Sequence, residues 1–413
     1  MNSRRGNRRF RLRWSGRRTA EASPGSAFTT PTRLAACMVV VSALFTLSGC
    51  GGPSAEGPVV IGAVISATGP AAPLGEPQRN TLQLMEKTIN EAGGVLGREL
   101  KIVIADDQSS AKEAVTGLNR LLQQEKAVAV IGATTSSSTL AIKPALNKAG
   151  VPQMALSAAN AVTDEPPIDW LWRVAPKDNL AVARALKYVS EGLGAQRIAV
   201  LYDENAFGSS GWVEIERTQA DWGLEVVASE SYKTEETDLT AHLTKIKGAD
   251  PEAVIVWGTN PGPAVAAKNM RQLGMTAPYV GSHGIANMKF IELAGEAGEG
   301  VVLPTNKMVC PEAIADPAMR ETVGAFIEDY SGAYGQLPNP FAAYAHDALF
   351  ILIQAIEAAG TTEAAALQTE LDRIAGLVCV GGVFTYSPTD HDGLTLDDLL
   401  IVKIVNGTWV AVE

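Results

Sequence analysis

A run of hydroxyl side chains at residues 134–139 has the residue types and the position to bind a small anion. It follows an apolar segment, 127–131, typical of a buried parallel strand, and precedes a segment, 140–146, typical of a helix whose first turn Pro144 would limit. Free backbone N–H groups and the helix dipole should therefore meet the hydroxyls, and both favour an anion. Because no lysine stands at phosphate-loop spacing, a carboxylate fits this loop better than a phosphate.

The same hydroxyls also suit a structural role, because serine and threonine commonly cap helices. On the loop alone, both interpretations stay open. A Ser-x-x-Lys motif at 109–112 has the form of the nucleophile of penicillin-recognising enzymes, but the companion Ser-Asp-Asn and Lys-Thr-Gly motifs are absent. Its place at the start of a predicted helix favours a cap.

Residue spacing elsewhere argues against an enzyme. The sequence has no Gly-x-Ser-x-Gly and no His-Glu-x-x-His motif, and its histidines, His242, His283, His346 and His391, lack metal-ligand spacing. We interpret His346 as a packing residue. The acidic segment 390–393 offers oxygen ligands suited to Ca²⁺ but too few of them, so a plain turn is the better interpretation. We expect no catalytic residue, no metal and no cofactor.

The charge distribution excludes further partners. Residues 1–49 contain nine arginines and one glutamate, which leaves 25 basic and 44 acidic residues, a net charge of −19, in the rest of the chain. Such an acidic surface argues against nucleic acid as a partner. It also argues against charge-driven binding to an anionic membrane, so a membrane attachment would have to be covalent or hydrophobic.

The first 49 residues have the form of a signal peptide. A basic stretch, 4–18, precedes an apolar run, 34–46, that is too short for a spanning helix. The run ends in Leu-Ser-Gly-Cys at 47–50, which resembles the lipobox of bacterial lipoproteins and implies that Cys50 becomes the lipidated amino terminus. An ordinary signal peptide or anchor with a chance cysteine is the alternative. Residues 50–57 then form a flexible tether.

Two cysteines remain in the mature chain on this interpretation. Cys310 and Cys379 would lie outside the cytoplasm, where leftover thiols often pair. The sequence leaves this disulfide open, because it does not show whether the two Cα atoms come within bridging distance.

Strand and helix patterns alternate along the mature chain, which predicts βαβ units and parallel sheets covered on both faces. Two such series of about 120 residues fit two doubly wound lobes of ordinary domain size. Strands are predicted at 59–65, 100–105, 127–131, 151–155, 197–202, 224–228, 253–257, 279–280, 300–303, 383–386, 399–405 and 408–412. Helices are predicted at 80–89, 111–124, 180–191, 211–221, 239–247, 265–273, 319–330, 341–359 and 363–374.

Several segments, taken in order, resemble the branched-chain amino acid-binding proteins, the type I periplasmic receptors that serve ABC importers. They are 61–70, 89–98, the triple serine at 136–138, and 341–360 with its Tyr-Ala-His-Asp-Ala at 344–348. The resemblance covers nearly all of 58–413. It implies an α/β fold of two doubly wound lobes joined by a three-strand hinge, with lobe 1 at 58–175 plus 305–399 and lobe 2 at 176–304 plus 400–413. The ligand would lie between the lobes.

Residue by residue, the resemblance implies a binding site. The triple serine would hold the ligand carboxylate through Ser136 and Ser137, and the loop after the next strand would contribute further contacts. Lobe 2 would add an aromatic contact after its first strand and residues after two later strands. The expected ligand-binding residues are Ser136, Ser137, Ser157, Ala158, Asn160, Phe207, Asn260 and His283.

His283 is the most informative departure from the family pattern. It stands where the family has the glutamate that binds the amino group of the ligand, and a family tyrosine is missing near Leu74. A buried ammonium without a counter-ion is very unfavourable, and a protonated imidazole would repel it. The ligand is therefore expected to lack an α-amino group or to bind it weakly, which makes an organic or aromatic acid at least as good a candidate as leucine. A histidine at the cleft rim without ligand contact is the alternative.

Three classes of function follow from these observations. The first is a monomeric, lipid-anchored solute-binding component of an ABC importer, located outside the cytoplasm and partnered by permease subunits. The second is a ligand-sensing receptor domain with the same lobes and no transport role. The third is an enzyme, for which no nucleophile and base are found.

Overall fold

The structure is a computed structural model that describes residues 57–412. The predicted signal peptide and Cys50 lie outside the described residues. Strands and helices alternate over most of the described part, as predicted. The strands are β1 (Val59–Ile65), β2 (Leu100–Asp106), β3 (Ala129–Gly132), β4 (Gln153–Ala155), β5 (Leu171–Arg173), β6 (Arg197–Asp203), β7 (Glu225–Tyr232), β8 (Ala253–Trp257), β9 (Tyr279–Gly281), β10 (Val302–Asn306), β11 (Leu377–Val378), β12 (Val383–Phe384), β13 (Leu399–Val405) and β14 (Thr408–Ala411).

Twelve α-helices connect these strands within residues 57–412. They are α1 (Ala72–Glu91), α2 (Ala111–Gln123), α3 (Ser136–Ala149), α4 (Ala161–Asp164), α5 (Asp178–Lys187), α6 (Ala206–Thr218), α7 (Thr240–Gly248), α8 (Gly262–Gln272), α9 (Met288–Ala294), α10 (Pro317–Tyr334), α11 (Pro340–Ala359) and α12 (Ala364–Leu371). The short elements α4, β5, α9 and β11 were not predicted, because segments of two to seven residues carry little periodicity.

The first sheet is parallel throughout, with strand order β2-β1-β3-β4-β5. Apolar side chains of β1 and β3 pack against α11 in one core. The helix contributes the fully buried Leu349 and Ile356 to this core. A second cluster, on the other face, joins β3 to α2 and α3 through Leu118, Ile142 and Leu146. Helices thus cover both faces, which is the arrangement that parallel strands require.

The second sheet has strand order β14-β13-β10-β9-β8-β6-β7. Strands β6 to β10 are parallel to one another in this sheet. Strands β13 and β14 form one edge of the sheet in antiparallel pairing. Trp257 at the end of β8 is fully buried among side chains of α5 and α6. The opposite face packs against α7, α8 and α9.

The two sheets and the helices on them form two doubly wound α/β lobes, which confirms the predicted fold class. We call the part around the first sheet the first lobe and the part around the second sheet the second lobe. The chain leaves the first sheet after β5, leaves the second sheet after β10, and returns to the second sheet at β13. The lobe boundary expected between residues 304 and 305 lies within β10, and the one expected between residues 399 and 400 lies at the start of β13. Both lobe boundaries remain predictions.

Helix α3 begins earlier than the sequence indicates. Its first residue is Ser136 rather than Leu140, because the Thr135 side chain accepts the backbone N–H of Ser138 and caps the helix there. Pro144 lies inside the helix without ending it. Gly132, at φ +119°, is required before the cap, since a Cβ there would lie 2.3 Å from the carbonyl oxygen of Val64.

In the described part, α11 is the helix long and apolar enough to cross a bilayer, but 72% of its most apolar window is buried inside the protein, as in a core helix. Cys310 and Cys379 are free buried thiols that belong to different hydrophobic clusters. The disulfide left open above is therefore not formed in this structure.

Candidate functional site

A cavity of about 160 Å³ lies between the two lobes. Nearly all of its wall follows the carboxyl ends of parallel strands in both sheets, where open α/β sheets bind ligands. The remainder comes from the first two turns of α11. The lining residues are Pro70, Ala71, Leu74, Ser109, Thr134, Thr135, Ser136, Ser137, Leu156, Ser157, Ala158, Ala175, Asn205, Phe207, Thr234, Thr259, Asn260, His283, Gly284, Phe341 and Tyr344.

The amino end of α3 supplies the polar part of the first-lobe wall. Thr135 is the cap, so the capping interpretation holds for that residue, whereas Ser136 and Ser137 face the cavity. Helix geometry leaves the N–H groups of these two serines without an intrahelical acceptor. Ser138 and Thr139 are fully buried and do not line the cavity. Within the hydroxyl run, Ser136 and Ser137 therefore line the cavity, whereas Thr135, Ser138 and Thr139 have structural positions.

The loop after β4 is fastened to this helix end. Ser136 Oγ accepts the backbone N–H of Ala159 at 3.2 Å, and Ser157 Oγ donates to Thr139 Oγ1 at 2.8 Å. On the side away from the cavity, Arg173 Nη1 donates to the carbonyl oxygens of Ala158 at 2.6 Å and Ala159 at 3.0 Å. The loop is therefore held from both sides before any ligand arrives.

Asn160 does not line the cavity, which corrects its expected place among the ligand-binding residues. Its side-chain Nδ2 donates to Glu214 Oε2 at 3.1 Å, and its backbone N–H donates to Ser210 Oγ at 2.9 Å. Both partners belong to α6 of the second lobe. The reason is steric, since α6 packs against the loop at this point and takes up its polar groups. Asn160 connects the lobes beside the cavity.

The Asn160→Asp variant should open the cleft. Its new carboxylate would face Glu214 across the lobes, where like charges repel. We expect the open form of the solute-free protein to gain about tenfold in population, about 1.4 kcal/mol, and the radius of gyration measured by X-ray scattering to increase. Adding Glu214→Gln should restore the original radius. An unchanged radius in Asn160→Asp would contradict this role.

An aromatic group forms the second-lobe wall. Asn205 caps α6 by accepting the N–H groups of Phe207 and Gly208, which places the Phe207 ring at the cavity. The Phe207 and His283 rings meet edge to face with centroids 5.3 Å apart, and Trp257 lies behind both. His283 is 3% exposed, so it is a wall residue and not a rim residue.

Buried polar atoms without a partner also mark the site. They are His283 Nδ1, Asn260 Oδ1 and Tyr344 Oη, each in a residue that lines the cavity. Asn260 uses its Nδ2 to donate to Asn287 Oδ1 at 3.2 Å, which fixes its orientation. Because buried polar groups are normally hydrogen-bonded, these atoms are candidate contacts for a bound molecule.

Tyr344 and Phe341 were not among the expected site residues. They lie in the first two turns of α11, which starts at an Asn339 cap, and their rings meet edge to face at 5.6 Å. The available signal was the Asn339-Pro340 start of a helix, directly before the segment 341–360 that resembles the family. Leu74 lines the wall near the position where the resemblance implies a tyrosine, and Tyr344 contributes a phenol from a different element.

Asp178 lies behind the second-lobe wall and is fully buried at the start of α5. Its Oδ1 accepts the indole N–H of Trp257 at 3.3 Å. Burial raises the pKa of Asp178 to about 7, although Arg173 beside it acts in the opposite direction. The folded protein thus holds a proton that the unfolded chain releases from its ordinary pKa of 3.8 upward.

The Asp178→Asn variant should therefore be more stable than the wild type at pH 8. The contribution of Asp178 to the free energy of unfolding falls as the pH rises from about 4 to about 7, because only the unfolded chain releases this proton in that window. The amide keeps an oxygen for Trp257 and has no such proton. We expect the gain in melting temperature to be largest above pH 7 and to vanish near pH 4. Asp221→Asn, at an exposed aspartate, should show no such window.

The acidic segment 390–393 forms a turn, and the Asp392 carboxylate in this turn forms ion pairs with two cationic side chains of the protein. Its Oδ1 lies 3.0 Å from Arg173 Nε and its Oδ2 lies 2.9 Å from Lys177 Nζ. Within residues 57–412, no group of three or more His, Cys, Asp or Glu side chains is arranged to hold a metal ion. His346 packs between Phe326 and Phe350.

Comparison with known proteins identifies the family. A model of the periplasmic binding protein family matches residues 58–408. An amino acid binding protein of Pseudomonas aeruginosa is 29% identical over 310 residues, which cover 74% of this chain and 80% of that protein. A leucine-, isoleucine-, valine-, threonine- and alanine-binding protein of the same organism is 29% identical over 298 residues, which cover 72% of this chain and 77% of that protein.

A solved structure agrees with the sequence matches. The branched-chain amino acid transporter substrate-binding protein LivJ of Streptococcus pneumoniae, in complex with isoleucine, superposes with a TM-score of 0.77 at 25% identity. The match covers 86% of this chain and 98% of that one. With the two sheets and the cavity between them, these matches show that the chain belongs to the type I periplasmic binding proteins, in the branched-chain amino acid-binding family.

Proposed function

We propose that the protein is the solute-binding component of an ABC importer and captures a small carboxylate, either a branched-chain amino acid or another organic or aromatic acid, between its lobes. The observation that carries the proposal is the interlobe cavity, whose wall joins the amino end of α3 to residues of the second lobe. A ligand there touches both lobes, and only such a ligand shifts the balance between open and closed forms.

In this proposal the carboxylate is bound by the Ser136 and Ser137 hydroxyls and by the free N–H groups of the same helix end. Ser157, Ala158, Phe207, Asn260 and His283 complete the site. No nucleophile with a neighbouring base stands in the wall as described, so the proposed role is binding without chemistry. The lobes close as units with the boundaries expected above.

Location and partners follow from the family and the amino-terminal sequence. The protein works outside the cytoplasm, is anchored through lipid on Cys50, is a monomer, and delivers its solute to permease subunits. The alternative is a ligand-sensing receptor domain without a transport role, and the shared lobe architecture supports it equally.

A thermal-shift screen over amino acids and organic acids tests the binding role, since a ligand that binds only the folded protein raises its melting temperature. A carboxylate that stabilises the wild type, confirmed by calorimetry, supports the proposal. A panel without any stabilising carboxylate, together with turnover in a hydrolase assay, would reject it. Uptake of the labelled solute by cells with and without the gene separates importer from sensor.

A further inference from the structure

The cavity wall carries no ionised side chain. None of the described residues that line it is aspartate, glutamate, lysine or arginine. His283 is neutral at physiological pH, because burial lowers its pKa to about 3. An ammonium group enclosed there would lose its hydration and meet no counter-ion in the wall. The wall therefore disfavours an α-amino acid.

Asp203 is one of the buried carboxylates that lie close to the cavity wall. It ends β6, directly before the lining residue Asn205, and is not itself part of the wall. Its Oδ1 already accepts the Thr234 hydroxyl at 2.6 Å and the Asn205 N–H at 3.1 Å, whereas its Oδ2 has no partner. Burial raises the pKa of Asp203, which makes it a poorer anion. The Asp203→Asn variant therefore shows whether this carboxylate binds an ammonium group.

Aromatic side chains line the cavity from both lobes. Phe207 and His283 approach from the second lobe, and Phe341 and Tyr344 approach from the first. The cavity volume of about 160 Å³ is close to that of protein cavities of roughly 150 Å³ that take up benzene. Leucine is of similar size, so volume alone does not choose between them. Aromatic rings on both sides favour an aromatic ligand by edge-to-face and stacked contacts.

The unpartnered atoms indicate a polar group on that ring. His283, Asn260 and Tyr344 are at least 97% buried, and each has a side-chain polar atom without a partner in the protein. One of these atoms, Asn260 Oδ1, is an acceptor only, so it requires a donor. A hydroxyl both donates and accepts, and it would satisfy such atoms without adding charge.

We propose that the solute is an aromatic carboxylate of the hydroxybenzoate class, with a ring hydroxyl and no amino group, and that His283 selects it against α-amino acids. This inference rests on the proposed function, because it assumes that the interlobe cavity is the binding site. His283 selects by being uncharged, since a carboxylate at this position would attract an ammonium group and repel an anionic ligand.

Calorimetry with leucine, benzoate, 3-hydroxybenzoate and 4-hydroxybenzoate tests the inference on the ligand-free full mature protein. We expect one hydroxybenzoate to bind at least tenfold more tightly than benzoate and at least 100-fold more tightly than leucine. His283→Glu should weaken that hydroxybenzoate at least 100-fold, whereas His283→Gln, which is uncharged, should weaken it less than tenfold. Melting temperatures of both solute-free variants verify that they fold.

Three results would overturn the inference. They are leucine binding as tightly as the best benzoate, benzoate matching both hydroxybenzoates, or equal losses in His283→Glu and His283→Gln. If leucine binds and Asp203→Asn abolishes that binding, the ammonium site is Asp203 instead. In each case the proposed function stands as long as Ser137→Ala weakens binding. If no carboxylate binds, or Ser137→Ala has no effect, the proposed function itself fails.

Discussion

Replacing Arg173 by methionine should lower the free energy of unfolding by about 3–5 kcal/mol, the usual effect of breaking a buried ion pair. Arg173 is fully buried, pairs with Asp392 at 3.0 Å, and donates to the carbonyl oxygens of Ala158 and Ala159. Methionine fills similar space but leaves the partly buried Asp392 carboxylate with Lys177 and the Thr163 hydroxyl as its partners, and leaves the carbonyls without this donor. Urea denaturation at pH 7 measures the loss.

Arg271→Met is the matched control. Arg271 forms an ion pair of similar length with Glu296, 2.9 Å, but both side chains are largely exposed. Exposed pairs contribute about 0–1 kcal/mol, so this variant should unfold close to the wild type. A loss below about 1 kcal/mol in Arg173→Met would show that the buried pair does not fasten the loop after β4.

Removing the Ser137 hydroxyl should raise the Kd of a bound carboxylate about 10- to 100-fold, as expected for one lost hydrogen bond to a charged group. Ser137 lines the cavity in the first turn of α3 and has no role in capping that helix. The melting temperature of solute-free Ser137→Ala should therefore stay close to that of the wild type. Calorimetry with the tightest carboxylate of the screen provides the Kd values.

Ser138→Ala is the control for this variant, because it makes the same change one residue further along the helix. Ser138 is fully buried and does not line the cavity. We expect its Kd to stay within about threefold of the wild type, which is less than 1 kcal/mol. Equal losses in Ser137→Ala and Ser138→Ala would mean that the helix end acts through its shape and that the Ser137 hydroxyl does not contact the solute.

The strands, the fold class and much of the cavity wall could be predicted because their signals are local. The apolar runs that became β1, β8 and β13 have the predicted bounds, since each is a short continuous apolar stretch. The resemblance to the family implied that residues just after strands, such as Ser137 and Phe207, belong to the site, and both line the cavity.

The start of α3 shows where a local signal was misread. Serines and threonines are weak helix formers, and the hydroxyl run therefore indicated a loop up to Thr139. One cap from Thr135 was enough to begin the helix at Ser136. The cavity-lining hydroxyls of Ser136 and Ser137 and the buried hydroxyls of Ser138 and Thr139 are adjacent in sequence, but they lie on different sides of the helix.

Residue composition and the order of short segments were sufficient to predict the acidic surface and the two lobes, and to notice a histidine at position 283 where the resemblance implies a glutamate, because each of these features can be read along the chain. The roles of Asn160, Arg173 and Tyr344 depended on packing. Asn160 contacts α6, and Arg173 contacts a turn more than 200 residues away in the sequence. Tyr344 lines the cavity from α11, which is also distant in the sequence from the hydroxyl run. Such contacts arise between elements that are distant in the sequence, and no local pattern records which of them meet.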